Sequence, residues 1–220
     1  MPLRLPDYAS FDNFQAGINH DSVVLLRQFL SGKSSERTAY MWGESGVGKT
    51  HLLFSACKDI ESSMYISMSN QKFGPDLLDS VAEHALICID DFQLAAQQTG
   101  WEKRLMSMVE ENVSENRLLL VAANLPPSAL NLALPDLKSR ISGRLVLRLR
   151  PIGDEDRIAV LIDRAARRGM KFESHVARYA ISRYCRNMHS VLDLLQRVEQ
   201  LTLEQHRRIT IPLLNDLDRT

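Results

Sequence analysis

The sequence has 220 residues, of which 45% are hydrophobic and 25% charged. These proportions suit one ordinary folded domain with a small companion, and they exclude a disordered chain, a collagen-like repeat and a disulfide-stapled scaffold. The N-terminal residues lack the apolar stretch of a secretory signal, and no apolar run approaches the roughly 20 residues of a membrane-spanning helix. Three widely spaced cysteines suit reduced thiols. We therefore expect a cytoplasmic protein.

Charge is divided unevenly along the chain, although the net charge is zero. Residues 1–135 carry 10 basic and 16 acidic side chains, whereas residues 136–220 carry 17 and 11. The neutral balance gives no general case for a nucleic-acid binder. The division is compatible with a basic patch on the C-terminal part, with association between copies, or with two solvated surfaces that have no partner.

Strands alternate with helices over the first part of the chain. Short apolar runs predict strands at residues 38–42, 64–68, 85–89, 118–123 and 145–149. Helical spacing of apolar residues predicts helices at residues 21–30, 51–60 and 101–113. Because the runs at 85–89 and 118–123 are continuously apolar, we predict an α/β domain with a five-stranded parallel sheet between helices.

The pattern changes at Pro151, after which only helical periods occur. Asp154 and Ser174 are the predicted N-caps of the first two helices. The four predicted helices run over residues 154–168, over 174–187, from 188 and from 212. We therefore predict two domains, an α/β domain at residues 1–150 and a small helical domain at 151–220.

The residues GESGVGKT match the phosphate-binding loop pattern, in which a glycine is followed after four residues by Gly-Lys and then Ser or Thr. Glycines let the backbone wrap around a phosphate so that N–H groups point at it, and the N-terminus of the next helix adds positive potential. The pattern assigns the outer phosphates to Lys49 and Mg²⁺ to the Thr50 hydroxyl. The predicted loop consists of Gly43, Glu44, Ser45, Gly46, Val47, Gly48, Lys49 and Thr50.

Polar side chains follow the two most apolar runs. Asp90 and Asp91 come after the run at 85–89, so that Asp90 can hold Mg²⁺ through water and Asp91 can orient or deprotonate an attacking water. Asn124 follows the run at 118–123, where a short amide either polarises the water or the γ-phosphate or only caps a turn. Beside a phosphate loop, the two aspartates predict a nucleotide-hydrolysis site.

Arg140, in the letters LKSR, follows a predicted short helix. An arginine supplied to a neighbour's nucleotide can stabilise transition-state charge, a contribution of about 10³–10⁵ in rate. For a single arginine without context, a surface position with no such role is the more common explanation.

Together these segments resemble AAA+ ATPases of the DnaA initiator branch, and most of all its Hda family of regulators, over about residues 9–205. The letters GKTHLL, IDDFQ and LKSRI carry the resemblance. So does FDNFQAGIN at residues 11–19, which is similar to the segment that closes over the adenine in DnaA. The resemblance implies an AAA+ domain followed by a helical lid, with ADP or ATP and Mg²⁺ as ligands.

The resemblance also implies roles for single residues. Thr50 and Asp90 take the metal role and Asp91 the water role, Asn124 is the sensor after the fourth strand, and Arg140 is an arginine finger acting in trans. Further nucleotide contacts are implied for Phe11, Phe14, Gly17, Asn19, His51, Arg186 and His189.

His189 stands where the family has its second sensor arginine, and Arg186, one turn earlier, is the alternative. A neutral imidazole grips a γ-phosphate weakly, which favours an ADP-bound resting state.

The function implied by the resemblance is regulatory. The chain ends at Thr220, whereas DnaA continues into a DNA-binding helix-turn-helix. We therefore predict an inhibitor of DNA replication that promotes hydrolysis of DnaA-bound ATP and has weak ATPase activity of its own. The alternative is a helicase-loader-type ATPase that acts by its own turnover, although loaders carry an extra N-terminal domain and only about 40 residues precede the loop here. A nucleotide-binding module without catalysis is the third possibility.

Partners other than DnaA are also implied. Regulators of this kind bind the replicative sliding clamp through an N-terminal segment resembling QLxLPL. The chain begins Met1-Pro2-Leu3, which is either the tail of such a motif or three residues without function. A homo-oligomer is compatible with the sequence, and any DNA contact is expected to be indirect.

Overall fold

The structure is a computed structural model that describes residues 9–70, 74–185, 187–205 and 207–217. The chain divides into two compact units, and the division falls between Arg150 and Pro151. Within the described ranges, no helix has the length and apolar character needed to cross a bilayer.

The first unit is a parallel sheet with helices on both faces. Its strands are β1 (Thr38–Trp42), β2 (Ser63–Ser67), β3 (Leu86–Asp90), β4 (Leu118–Ala123) and β5 (Leu145–Arg148). They lie in the order β2-β3-β4-β1-β5, and every neighbouring pair is parallel. The helices are α1 (His20–Leu30), α2 (Lys49–Asp59), α3 (Leu77–Ser80), α4 (Thr99–Ser114) and α5 (Pro135–Ser142). The predicted five-stranded parallel sheet between helices is confirmed.

Apolar side chains on the two faces of the sheet form two cores. On one face, α1 and α2 pack with Met41 and Leu120, and on the other, α4 and α5 pack with Tyr40 and Val121. Strands β3 and β4 are buried along their whole length, which explains their continuous apolar sequences. The helix that follows the phosphate loop, α2, therefore lies on the opposite face from α5.

The second unit consists of α6 (Asp154–Arg167), α7 (Ser174–Tyr184), α8 (Met188–Gln205) and α9 (Ile211–Asp216). Leu161, Leu195 and Leu213 are fully buried in its core. Helix α9 begins after Thr210, whose hydroxyl accepts a hydrogen bond from the backbone N–H of Leu213.

Several predicted boundaries are wrong. Asp154 and Ser174 are the first residues of α6 and α7 rather than their caps, and α7 ends at Tyr184 rather than near Asn187. Arg140 lies inside the last turn of α5 rather than after a helix. Polar residues are favourable both at a cap and in a first turn, so sequence spacing alone does not separate the two positions.

Candidate functional site

The phosphate loop joins the end of β1 to the start of α2. Gly48 has a φ of +97°, a left-handed conformation that glycine adopts without strain, and α2 begins at the next residue. A Cβ on Gly43 would lie 2.3 Å from the carbonyl oxygen of Leu149, so only glycine fits where the loop begins. Both ends of the loop are thereby anchored to the sheet and to α2.

Lys49 places a buried cation in this loop. The residue is 7% exposed, and its Nζ donates to the carbonyl oxygens of Gly43 and Glu44 at 2.8 and 2.9 Å. Burial lowers the pKa of Lys49, and the charges of Asp90 and Asp91 oppose that shift. A buried ammonium that rests on neutral carbonyls suits an anionic ligand, because phosphate oxygens would compensate its charge.

Asp90 ends β3 beside the start of α2. Its Oδ2 accepts hydrogen bonds from the hydroxyls of Thr50 at 2.6 Å and Tyr65 at 3.0 Å, and its Oδ1 accepts one from the backbone N–H of Asp91 at 2.9 Å. Mg²⁺ prefers such oxygen donors and usually takes one or two of them together with phosphates and water. Thr50 and Asp90 therefore fit a nucleotide-bound Mg²⁺. The described residues contain no cluster of three His, Cys, Asp or Glu side chains that could hold a metal.

Gln93 links Asp91 to Asn124. Asp91 adopts an uncommon left-handed conformation with a φ of 56°. The Gln93 Nε2 donates to Asp91 Oδ1 at 3.4 Å, and its Oε1 accepts the backbone N–H of Asn124 at 3.0 Å. A carboxamide can do both because it carries a donor and an acceptor. Sequence reasoning gave Gln93 no role, although the letters IDDFQ contain it.

The segment at residues 9–19 packs over the phosphate loop. The ring of Phe14 lies over Gly48, where an added Cβ would come within 2.5 Å of a ring carbon. The ring centroids of Phe14 and His51 are 5.4 Å apart, and His51 Nε2 lies 2.9 Å from the carbonyl oxygen of Ser10. Phe14 and His51 thus stand beside the loop, as a nucleotide contact would require.

Three other residues predicted to contact nucleotide in this segment have contacts within the fold, and their nucleotide contacts stay predictions. Phe11 is buried in the core beneath the guanidinium of Arg27, 4.8 Å from its ring centroid. Asn19 is buried and pairs with the backbone of Arg150, donating from Nδ2 at 2.8 Å and accepting at Oδ1 at 2.7 Å. Gly17 begins a short 3₁₀ turn. The polar atoms of Asn19 are therefore occupied by the backbone.

Arg140 lies far from this loop in the sheet topology. Helix α5 runs from the carboxyl end of β4 back to the start of β5, where Leu145 pairs with Ala39 near the start of β1. The phosphate loop follows the opposite end of β1. Arg140 therefore lies toward the amino ends of the strands, whereas the phosphate loop lies at their carboxyl ends. It is also on the other face of the sheet from α2. Its Nη2 is 2.7 Å from Glu110 Oε1 on α4.

The predicted second sensor falls in the second unit. His189 is the second residue of α8 and is exposed, and Arg186 lies outside the described residues. Met1, Pro2 and Leu3 lie outside them as well.

Comparison with known proteins places this site in a family. Residues 5–148 match the family model of the bacterial DnaA ATPase domain, and residues 154–217 match that of the lid domain of Hda. Domain III of the replication initiation protein DnaA from Thermotoga maritima is similar with a TM-score of 0.83 at 20% identity, over 96% of this chain and 95% of that one.

Two further solved structures share the fold. AMPPCP-bound DnaA from Aquifex aeolicus matches with a TM-score of 0.77 at 16% identity, over 91% of this chain and 68% of that one. The Thermotoga maritima RuvB Holliday junction branch migration motor matches with a TM-score of 0.73 at 16% identity, over 96% and 71%. The predicted relationship to the DnaA branch and to Hda is confirmed by the family matches. This chain belongs to the bacterial DnaA ATPase domain family of AAA+ proteins, and its C-terminal unit is an Hda-like lid domain.

Proposed function

We propose that this chain is a regulatory AAA+ protein that binds adenine nucleotide with Mg²⁺ and promotes hydrolysis of ATP held by DnaA. The observation that carries the proposal is the position of Arg140, an accessible arginine on the opposite face of the sheet from α2 and the phosphate loop. The match of the second unit to the lid of Hda supports a regulatory role, because the sequence resembles the regulators of that family.

Nucleotide binding is supported by the buried charge of Lys49 and by the contact between Thr50 and Asp90. In this proposal Lys49 would meet the outer phosphates, Thr50 and Asp90 would hold Mg²⁺, and Phe14 would contact the nucleotide. Bound Mg²⁺ would neutralise phosphate charge. The solved structure of DnaA with AMPPCP, a nucleotide analogue, supports the same ligand class.

The chain's own hydrolysis is proposed to be weak. Asp91 and Asn124, held together by Gln93, would orient the attacking water. His189 at the second sensor position favours ADP as the resting ligand, because an imidazole lacks the permanent charge and the forked donors with which a guanidinium grips a γ-phosphate.

Arg140 acts on the nucleotide of the partner. Its planar guanidinium can meet two phosphate oxygens at once, which an ammonium cannot copy. In the free chain Glu110 holds it by an ion pair whose side chains are 41% and 51% exposed. Such a pair contributes at most about 1 kcal/mol, so a phosphate group can displace the carboxylate at little cost. Clamp binding, self-association, replication inhibition and a cytoplasmic location stay predictions.

The test measures hydrolysis of ATP preloaded on purified DnaA, with and without this chain. The wild-type chain should accelerate hydrolysis, and Arg140→Ala should abolish the acceleration while ADP affinity stays unchanged. Arg144→Ala is the matched control, because this arginine lies four residues on and pairs with Glu36 at 3.4 Å.

Two outcomes would contradict the proposal. Acceleration that survives both substitutions would exclude an arginine finger in this segment. Rapid ATP turnover by the chain alone, with no effect on DnaA, would favour a self-contained ATPase instead.

A further inference from the structure

Tyr65 brings a third element, the edge strand β2, to the predicted metal site beside α2 and β3. It lies on the edge strand β2 and pairs with Cys88 of β3, two residues before Asp90. Its ring faces α2, where the ring centroid lies 4.5 Å from that of Phe54. From there its hydroxyl donates to Asp90 Oδ2 at 3.0 Å.

The Tyr65 hydroxyl is one of three groups that donate hydrogen bonds to Asp90. Together with the hydroxyl of Thr50 and the backbone N–H of Asp91, it gives the carboxylate of Asp90 three donors from three elements. A carboxylate held in this way cannot rotate without losing hydrogen bonds.

Packing alone does not explain the hydroxyl. A phenylalanine at this partly buried position would pack against Phe54 in the same way without bringing a polar group to Asp90. Burial of a hydroxyl costs free energy unless the hydroxyl is hydrogen-bonded, and here its partner is the carboxylate predicted to hold the metal. The feature that needs an explanation is therefore the contact between Tyr65 and Asp90.

We propose that Tyr65 positions Asp90 for the Mg²⁺ that accompanies the nucleotide, and that it thereby sets how strongly Mg²⁺ strengthens nucleotide binding. The inference rests on the nucleotide site proposed above. Tyr65 contacts neither the nucleotide nor the metal and acts through Asp90 alone. Groups that hydrogen-bond to metal ligands typically contribute about 10–100-fold to metal affinity.

The experiment measures ADP binding by calorimetry, once with EDTA and once with excess Mg²⁺. Tyr65→Phe should keep the metal-free affinity and lose about tenfold of the Mg²⁺-dependent gain. Asp90→Asn should lose the gain more completely.

Tyr40→Phe is the control for loss of a hydrogen-bonded tyrosine hydroxyl elsewhere in the sheet. Tyr40 is fully buried, and its hydroxyl donates to the carbonyl oxygen of Leu125 at 2.7 Å rather than to Asp90. It should bind ADP like the wild type in both buffers. Melting temperatures of all variants without nucleotide show whether each one is folded.

The outcomes separate the two proposals. A wild-type chain that binds no ADP in either buffer would overturn the nucleotide site itself. An equal Mg²⁺-dependent gain in Tyr65→Phe and the wild type would overturn only the role of Tyr65. So would an equal loss of affinity with and without Mg²⁺, because that result would indicate a general structural effect.

Discussion

The phosphate loop and the surface around Arg140 are built in opposite ways. Lys49 and Asp90 are 7% and 3% exposed and are held by hydrogen bonds from several elements. The side chains of Arg140 and Glu110 are 41% and 51% exposed and share one ion pair. A group that meets a ligand within its own chain can be fixed in advance by burial. A group that is proposed to act on another molecule, as Arg140 is here, must stay accessible, so its geometry depends on the helix that carries it.

Helix α5, which carries Arg140, is held at its start by a buried side chain. Glu102 on α4 is fully buried and accepts backbone N–H groups from Gln97 at 2.8 Å, Ala133 at 3.0 Å and Leu134 at 2.7 Å. Leu134 immediately precedes α5, so the carboxylate fixes the start of the helix that carries Arg140. The exposed site thus depends on a buried group one helix away.

The largest effect should come from Arg140→Lys, which keeps the charge and removes the planar fork. A finger contributes about 10³–10⁵ in rate, and an ammonium meets phosphate oxygens one at a time, so stimulated hydrolysis should fall at least about 100-fold. Single-turnover hydrolysis by DnaA measures it. A lysine variant with nearly full stimulation would show that charge alone matters at this surface.

Lys49→Met should abolish stabilisation by ADP. At a concentration 100 times the dissociation constant, a ligand stabilises the folded chain by about 2.7 kcal/mol, and this increment should disappear. Because the pKa of Lys49 is lowered in the folded chain, the unfolded chain binds its proton more tightly, and wild-type stability should rise as the pH approaches the ordinary lysine value.

The Lys49→Met variant lacks the buried ammonium group, so without nucleotide it should melt at a higher temperature than the wild type. Melting curves with and without ADP test this effect and the loss of stabilisation by ADP. Lys58→Met, an exposed change on the same helix, is the control. An undiminished response of Lys49→Met to ADP would remove the basis for a phosphate loop.

Glu102→Gln should lower the free energy of unfolding by about 1–3 kcal/mol, because one of its oxygens becomes an NH₂ that cannot accept a backbone N–H. Stimulation of DnaA should fall, whereas ADP affinity should stay the same, since the support lies under α5. Denaturant unfolding and calorimetry measure these quantities. Glu115→Gln, at an exposed position after α4, should change none of them.

The smallest effect should come from Glu110→Gln. Loss of one exposed ion pair should change the free energy of unfolding by less than about 1 kcal/mol and stimulation by no more than a few-fold. Raising the salt concentration should weaken the wild-type pair and reduce even this difference. A large loss of stimulation would mean that Glu110 fixes the finger and that the surface is less free than its exposure indicates.

Local patterns identified the sheet and the phosphate loop because each pattern occupies consecutive residues. The continuous apolar runs gave β3 and β4, and GESGVGKT gave the loop. Contacts that depend on how strands align could not be found in this way. Tyr65 reaches Asp90 only because β2 pairs with β3 in one particular register, and Asn19 meets Arg150 across 131 positions of sequence. Neither pairing leaves a local signal.

The pairing of Asn19 with Arg150 has a practical consequence for shortened versions of the chain. β5 ends at Arg148, and beyond it the amide of Asn19 takes the place that a neighbouring strand would have. A protease cut or an N-terminal deletion that removed residues 9–19 would leave both backbone groups of Arg150 without this partner and uncover the core beneath Phe11. A fragment intended to fold should therefore start ahead of Ala9.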